Sequence, residues 1–109
     1  MEDAEQIVAN LMLELRRGTL ILSVLSQLAS PQYGYSLIHC LEDKGVLIEA
    51  GTLYPLLRRL EKQNLLESKW EVTDTRPRRY YVLSTTGIDV YKKLCEEWNL
   101  MVDKMSKII

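Results

Sequence analysis

Apolar residues recur along this chain with two different periods, and the change between them divides it into elements. Ile7, Leu11 and Leu15 are spaced for one face of a helix, which predicts a first helix over residues 3–16. Gly18 offers a break. Residues 19–29 are strongly apolar and predict a second helix at the centre of the core. Ser30-Pro31-Gln32 is a turn signal. A third helix is expected over 33–44, with Leu37, Ile38 and Leu41 buried and Gly45 as its stop. In residues 50–63, Leu53, Leu56, Leu57 and Leu60 form one stripe of a fourth helix, which Asn64 can end. The short Gly-containing connection between helices three and four gives the outline of a helix-turn-helix.

After Asn64 the period falls to two. Leu66, Ser68, Trp70 and Val72 alternate with Glu67, Lys69 and Glu71, which predicts a half-exposed strand. Thr73 to Pro77 reads as a loop tip. Arg78 to Leu83 is a second β-prone run, with Tyr81 and Leu83 facing inward and Arg78 and Tyr80 facing elsewhere. Ser84 is a candidate N-cap for a last helix running to the end. In that helix Ile88, Tyr91, Cys95, Trp98, Val102, Met105 and Ile109 alternate steps of three and four, a heptad seam. Leu94, Met101 and Ile108 widen the seam beyond what a small domain can cover alone, so a second protomer is expected against it. The fold class is mainly α with a small β-hairpin. Residues 1–84 make an N-terminal helix and winged helix-turn-helix domain, and residues 85–109 a C-terminal dimerisation helix.

Composition narrows the function. The chain has 109 residues, 47% hydrophobic and 27% charged, as in an ordinary globular domain. No apolar run is long enough to span a bilayer, and the acidic start is unlike a signal peptide, so a cytoplasmic protein without membrane contact is expected. Cys40 and Cys95 are not spaced as ligands and His39 is the lone histidine, which argues against a metal site; the thiols read as buried and reduced, a redox switch being the alternative. No cofactor motif and no nucleophile beside a base suggest an enzyme.

The net charge of −1 is unpromising for a nucleic-acid binder, but its distribution is not. Residues 52–80 hold seven of the chain's 14 basic residues and four of its 15 acidic ones, a local surplus of three positive charges. On the fourth helix, Tyr54, Pro55, Arg58, Arg59 and Lys62 lie opposite the leucines, as phosphate and base contacts require. Arg76, Arg78 and Arg79 cluster at the hairpin tip, where they suit the DNA backbone or minor groove. Tyr33-Gly34-Tyr35-Ser36 opens the third helix, whose free N–H groups could take a phosphate; capping with aromatic packing is the alternative.

The string from Gly51 to Lys62, GTLYPLLRRLEK, and the run from Arg78 to Gly87, RRYYVLSTTG, resemble the recognition helix and second wing strand of the PadR family. Gly18-Thr19-Leu20 and Tyr33-Gly34-Tyr35 fit its N-terminal half, and the single terminal helix matches its compact subfamily. The resemblance implies a homodimeric repressor on double-stranded DNA that can be released by small aromatic ligands, and the two-fold symmetry of a dimer implies an inverted-repeat site. The resemblance places DNA contacts at Tyr35, Ser36, Thr52, Tyr54, Pro55, Arg58 and the wing arginines. Trp98 resembles a tryptophan with which some members sandwich flat aromatic drugs across the dimer axis, with plain dimer packing as the alternative. From the seam's own composition, in which Tyr91, Cys95, Met101 and Met105 stand where a rigid coiled coil has Leu and Ile, Tyr91, Cys95 and Met101 would join it. A winged helix serving protein–protein contact without DNA remains the rival reading.

Overall fold

The computed structural model describes residues 3–72 and 76–109. Its elements follow in the order α1 (Ala4–Ser26), β1 (Gln32–Tyr33), α2 (Gly34–Asp43), α3 (Ala50–Lys62), β2 (Leu66–Glu71), β3 (Arg78–Leu83) and α4 (Thr85–Ile108).

The expected first two helices are one. α1 starts at an Asp3 N-cap, whose side chain accepts from the Gln6 N–H, and passes through Gly18 without a break. A glycine inside a helix costs only about 1 kcal/mol. The residues leading up to it, Leu11 to Arg17, are all strong helix formers and carry the helix through. Thr19 and Ser23 direct their hydroxyls to the carbonyls of Arg16 and Thr19, so they do not interrupt the helix.

α2 and α3 end in the same way. Gly45 (φ +83°) and Asn64 (φ +65°) take the left-handed conformation. The Val46 N–H then bonds to Leu41 O at 2.8 Å, and the Leu65 N–H to Leu60 O at 3.0 Å. The leucine stripe of α3 is the core: Leu53 and Leu57 are fully hidden, and Leu60 nearly so, against Val24, Leu25, Leu28, Leu37 and Leu41.

The hairpin is a three-stranded antiparallel sheet, because β1 joins it in the order β1-β3-β2. Sequence alternation did not reveal this two-residue strand. Ser68 stands opposite Tyr81, Trp70 opposite Arg79 and Glu71 opposite Arg78, while Tyr33 pairs with Tyr80. One face of the sheet closes the core with Leu66, Tyr81 and Leu83, as the alternation required. Trp70 and Val72 follow on that face beyond the reach of the core and are exposed, so only the base of the strand is half-buried as expected. Of the expected loop tip, Thr73, Asp74 and Thr75 lie outside the described residues; Arg76 and Pro77 are exposed.

Ser84 caps α4 as expected and also knots it to the end of α3. Its Oγ accepts from the Gly87 N–H at 2.9 Å and donates to Asn64 O at 2.7 Å, while its N–H bonds to Leu65 O at 3.0 Å. The first half of α4 packs on the core through Tyr91 and Leu94. From Trp98 onward it is exposed, as are Ile7, Val8, Leu11 and Leu15 of α1.

Candidate nucleic-acid interface

α3 carries a polar face because its leucines are all on the other side. Thr52, Tyr54, Pro55, Arg58, Arg59 and Lys62 are exposed together. Pro55 sits within the helix, where it has no N–H to give the Gly51 carbonyl. Gly51 is exposed with open space around its Cα, so that carbonyl can be solvated. The cations Arg59 and Lys62 occupy the last turn, where the helix dipole favours positive charge.

Tyr54 does more than face outward. Its ring covers Gly34 at the start of α2, where a Cβ would stand 2.5 Å from Tyr54 Cε1. Gly34 is buried and makes room for the ring, so the packing alternative for the Tyr33-Gly34-Tyr35-Ser36 motif describes this glycine. The Ser36 hydroxyl is half-buried, within 2.9 Å of Gln32 Oε1 and 3.0 Å of Tyr33 O. It is turned into its own chain. Tyr35 is 71% exposed and meets the edge of His39, with ring centroids 4.6 Å apart.

The two neighbouring wing arginines part company, since adjacent strand residues face opposite ways. Arg78 lies on the outer face, its guanidinium 5.0 Å from the ring centre of Tyr33. There the Tyr33 hydroxyl donates to Glu71, and the Tyr80 ring meets Tyr33 edge-on. That hydrogen bond, with desolvation next, raises the Tyr33 phenol above its ordinary value. Pro31, Tyr33, Glu71 and Tyr80 border a shallow open hollow on this face.

Arg79 lies on the inner face and is committed there. Its Nη2 is 2.7 Å from Glu61 Oε1 on α3, and its Nε donates to Ser68 Oγ at 3.0 Å. Ser68 in turn donates to the second oxygen of Glu61. The guanidinium stands over the rings of Trp70 and Tyr81, 5.7 and 5.4 Å from their centres. Burial, opposed by the Arg79 charge, raises the Tyr81 phenol. Of the three wing arginines expected to meet DNA, Arg76 and Arg78 are exposed, and Arg79 is held by a carboxylate. Sequence reasoning missed Glu61 as its partner, 18 residues away; the hairpin register that brings them together was not readable.

On α4, Ile88, Trp98, Val102, Met105 and Ile109 are exposed, as is Met101. Tyr91 and Cys95 are half-buried. The hydrogen bond between them, followed by desolvation, raises the Tyr91 phenol. Cys40 and Cys95 are free thiols, half-buried where full burial was expected. Among the described residues no cluster of His, Cys, Asp or Glu could hold a metal ion. No described helix is long and apolar enough to cross a membrane.

A helix-turn-helix with its second helix exposed and a β-wing beside it defines a winged helix-turn-helix transcription regulator. Residues 21–93 match the model of the transcriptional regulator PadR-like family, and the chain belongs to that family. It is 38% identical over 77 residues to transcriptional regulator Rv3488 of Mycobacterium tuberculosis, covering 70% of this chain and 72% of that one. Its fold superposes with a TM-score of 0.90 on a PadR family transcriptional regulator from Eggerthella lenta, 47% identical, covering 95% of this chain and 93% of that one. A transcriptional regulator from Clostridium thermocellum, 32% identical, superposes with a TM-score of 0.82 over 88% of this chain and 98% of that one.

Proposed function

We propose that this regulator is a dimeric, sequence-specific repressor that inserts its two α3 helices into neighbouring major grooves of an inverted-repeat operator. The observation that carries the reading is the outer face of α3, where Thr52, Tyr54, Pro55, Arg58, Arg59 and Lys62 are exposed together above a buried leucine stripe. Arg58 stands mid-helix, where a side chain reaches a guanine edge or the adjacent phosphate; Arg76 and Arg78 add backbone contacts from the wing. Repression is occupancy, a bound dimer excluding polymerase from overlapping promoter DNA.

Dimerisation is supported by apolar surface that one protomer leaves open. Trp98, Val102 and Met105 are each 40–46% exposed on one seam of α4, and Leu11 of α1 is 54% exposed. A second copy supplies a matching stripe by symmetry. The same seam supports release by a planar aromatic ligand: Trp98 offers a flat indole, Met101 an adaptable thioether, with Tyr91 and Cys95 one to two turns away. Such a ligand acts by preferring one separation of the recognition helices.

The test is a salt-titrated binding measurement on operator-length duplexes. With three to five phosphate contacts per protomer, the log–log slope should be about −5 to −9. A slope near zero would leave the winged helix as a protein-binding module. Arg58→Ala should cost about 1–3 kcal/mol and relax preference at one base position. For the ligand, saturable quenching of a Trp70→Phe protein by a planar cationic dye should vanish in Trp98→Ala while the dimer persists.

A further inference from the structure

The wing leaves the core early. Leu66 and Leu83 are buried at its base, and Tyr81 is the last core side chain of β3 before the strands run out into solvent. Beyond that point Trp70 is 60% and Val72 70% exposed, so the core does not support the inner face of the part that carries Arg76 and Arg78, while Tyr33, bonded to Glu71 and set against Tyr80 and Arg78, lies on its outer face. A ribbon whose inner face is unpacked holds its angle to the helix beneath it poorly. The Glu61, Ser68 and Arg79 cluster stands where the inner-face packing ends, and it ties both strands to α3. Ser68 comes from β2, Arg79 from β3 and Glu61 from the last turn of the recognition helix.

Each side chain of the cluster bonds the other two, so its geometry is fixed from three directions. Charge points the same way. Glu61 lies one residue from Lys62 and three from Arg58, on a helix whose exposed face would meet phosphates. An unneutralised carboxylate there would repel DNA. Arg79 answers that charge, and in doing so its guanidinium is drawn to the inner face between Trp70 and Tyr81.

We infer that Glu61, Ser68 and Arg79 form a brace that sets the angle of the wing to the recognition helix, Arg79 being a positioning residue and not a DNA contact. The inference rests on the DNA-binding reading and says which of its cations act at one remove. A brace and a contact differ in the sign of one effect. Removing the Glu61 charge helps DNA binding if Arg79 is freed to reach phosphate, and harms it if the pair holds the wing in place.

The experiment is a double-mutant cycle of Glu61→Gln, Arg79→Gln and both together. The probe is the tightest duplex selected in vitro with the unaltered protein, compared with a random-sequence duplex of equal length. Each single substitution should weaken binding to the selected duplex by about tenfold, and the double no more than either, because members of one network do not add. Preference over the random duplex should fall in parallel, a loss that lowered stability alone would not produce. The charge-exchanged protein Glu61→Arg with Arg79→Glu should recover part of that preference. Should Arg79→Gln fail to fold, Ser68→Ala keeps the ion pair and should weaken selected binding by about two- to threefold. Equal or tighter binding by Glu61→Gln or Ser68→Ala overturns the brace, as does additive loss in the cycle. Failure of the unaltered protein to bind any duplex in a salt-dependent way overturns the DNA-binding reading itself, and the brace with it.

Discussion

The ring of Tyr54 on the recognition helix rests against Gly34 at the start of α2, so closely that a methyl group at position 34 would stand 2.5 Å from the ring. The exposed tyrosine of the candidate interface is thus set by a glycine on another helix. Gly34→Ala should push the ring aside. Tyr54 is 37% exposed, so it can turn away into solvent at the rotamer cost of about 0.5–1.5 kcal/mol. Affinity for the selected duplex should fall by about tenfold while denaturant stability falls little. A large stability loss with unchanged affinity per folded molecule would show that the ring's position does not matter to DNA.

Gly87 presents the opposite case. A Cβ there would stand 1.9 Å from Leu65 O, which is backbone and cannot rotate away. Gly87→Ala must break the Ser84 knot or shift the start of α4. The expected loss is about 3 kcal/mol or more, in the range reserved for overpacking and broken buried networks. Urea unfolding measures it, and a loss below 1 kcal/mol would mean that the junction yields easily.

The bond from Tyr33 to Glu71 gives an alkaline signature. Only the neutral phenol donates to the carboxylate, and that bond raises the Tyr33 value. Its stabilising effect is therefore complete below the ordinary tyrosine value near 10, and disappears as pH rises through the higher value of the folded state. In Tyr33→Phe a phenolate component titrating above pH 10 should be missing from the near-ultraviolet titration curve. The stability difference between the two proteins should shrink in the same range. A difference that grows with alkalinity would reverse the assignment.

The seam of α4 gives a test of assembly. Val102→Asp combined with Met105→Asp places two charges where a second protomer is proposed to sit, in a stretch that does not pack on the protomer's own core. Sedimentation at micromolar concentration should change from dimer to monomer, with helix content largely retained. A dimer that persists would place the interface elsewhere.

Much of this architecture was legible in the chain because local signals and global packing agree. The leucine stripe of α3, the Ser84 cap and the inward Tyr81 and Leu83 follow from periodicity and capping chemistry alone. Gly18 misled because a glycine among strong helix formers is a weak helix breaker. β1 escaped because two residues carry no period; it exists through its pairing with Tyr80 and Tyr81. At the interface, the exposed positions of α3 were readable from the helix angle, but the division between Arg78 and Arg79 was not. Strand alternation sends the two to opposite faces, yet only the hairpin register brings Arg79 to Glu61, and residues 73–77 do not announce that register.

The Ser84 knot makes the junction between the end of α3 and the start of α4 a single rigid joint, closed by three hydrogen bonds on Asn64, Leu65 and Gly87. On the proposed reading, what is read on DNA and how far apart it is read become separable parts of one machine. In the proposed dimer on DNA, the bases fall to the outer face of residues 50–62, and the distance between half-sites to the helices that join the protomers. Grafting the outward residues of a relative's recognition helix onto this chain should retarget the bases and leave the footprint length unchanged. Inserting one helical turn into α4 should do the reverse.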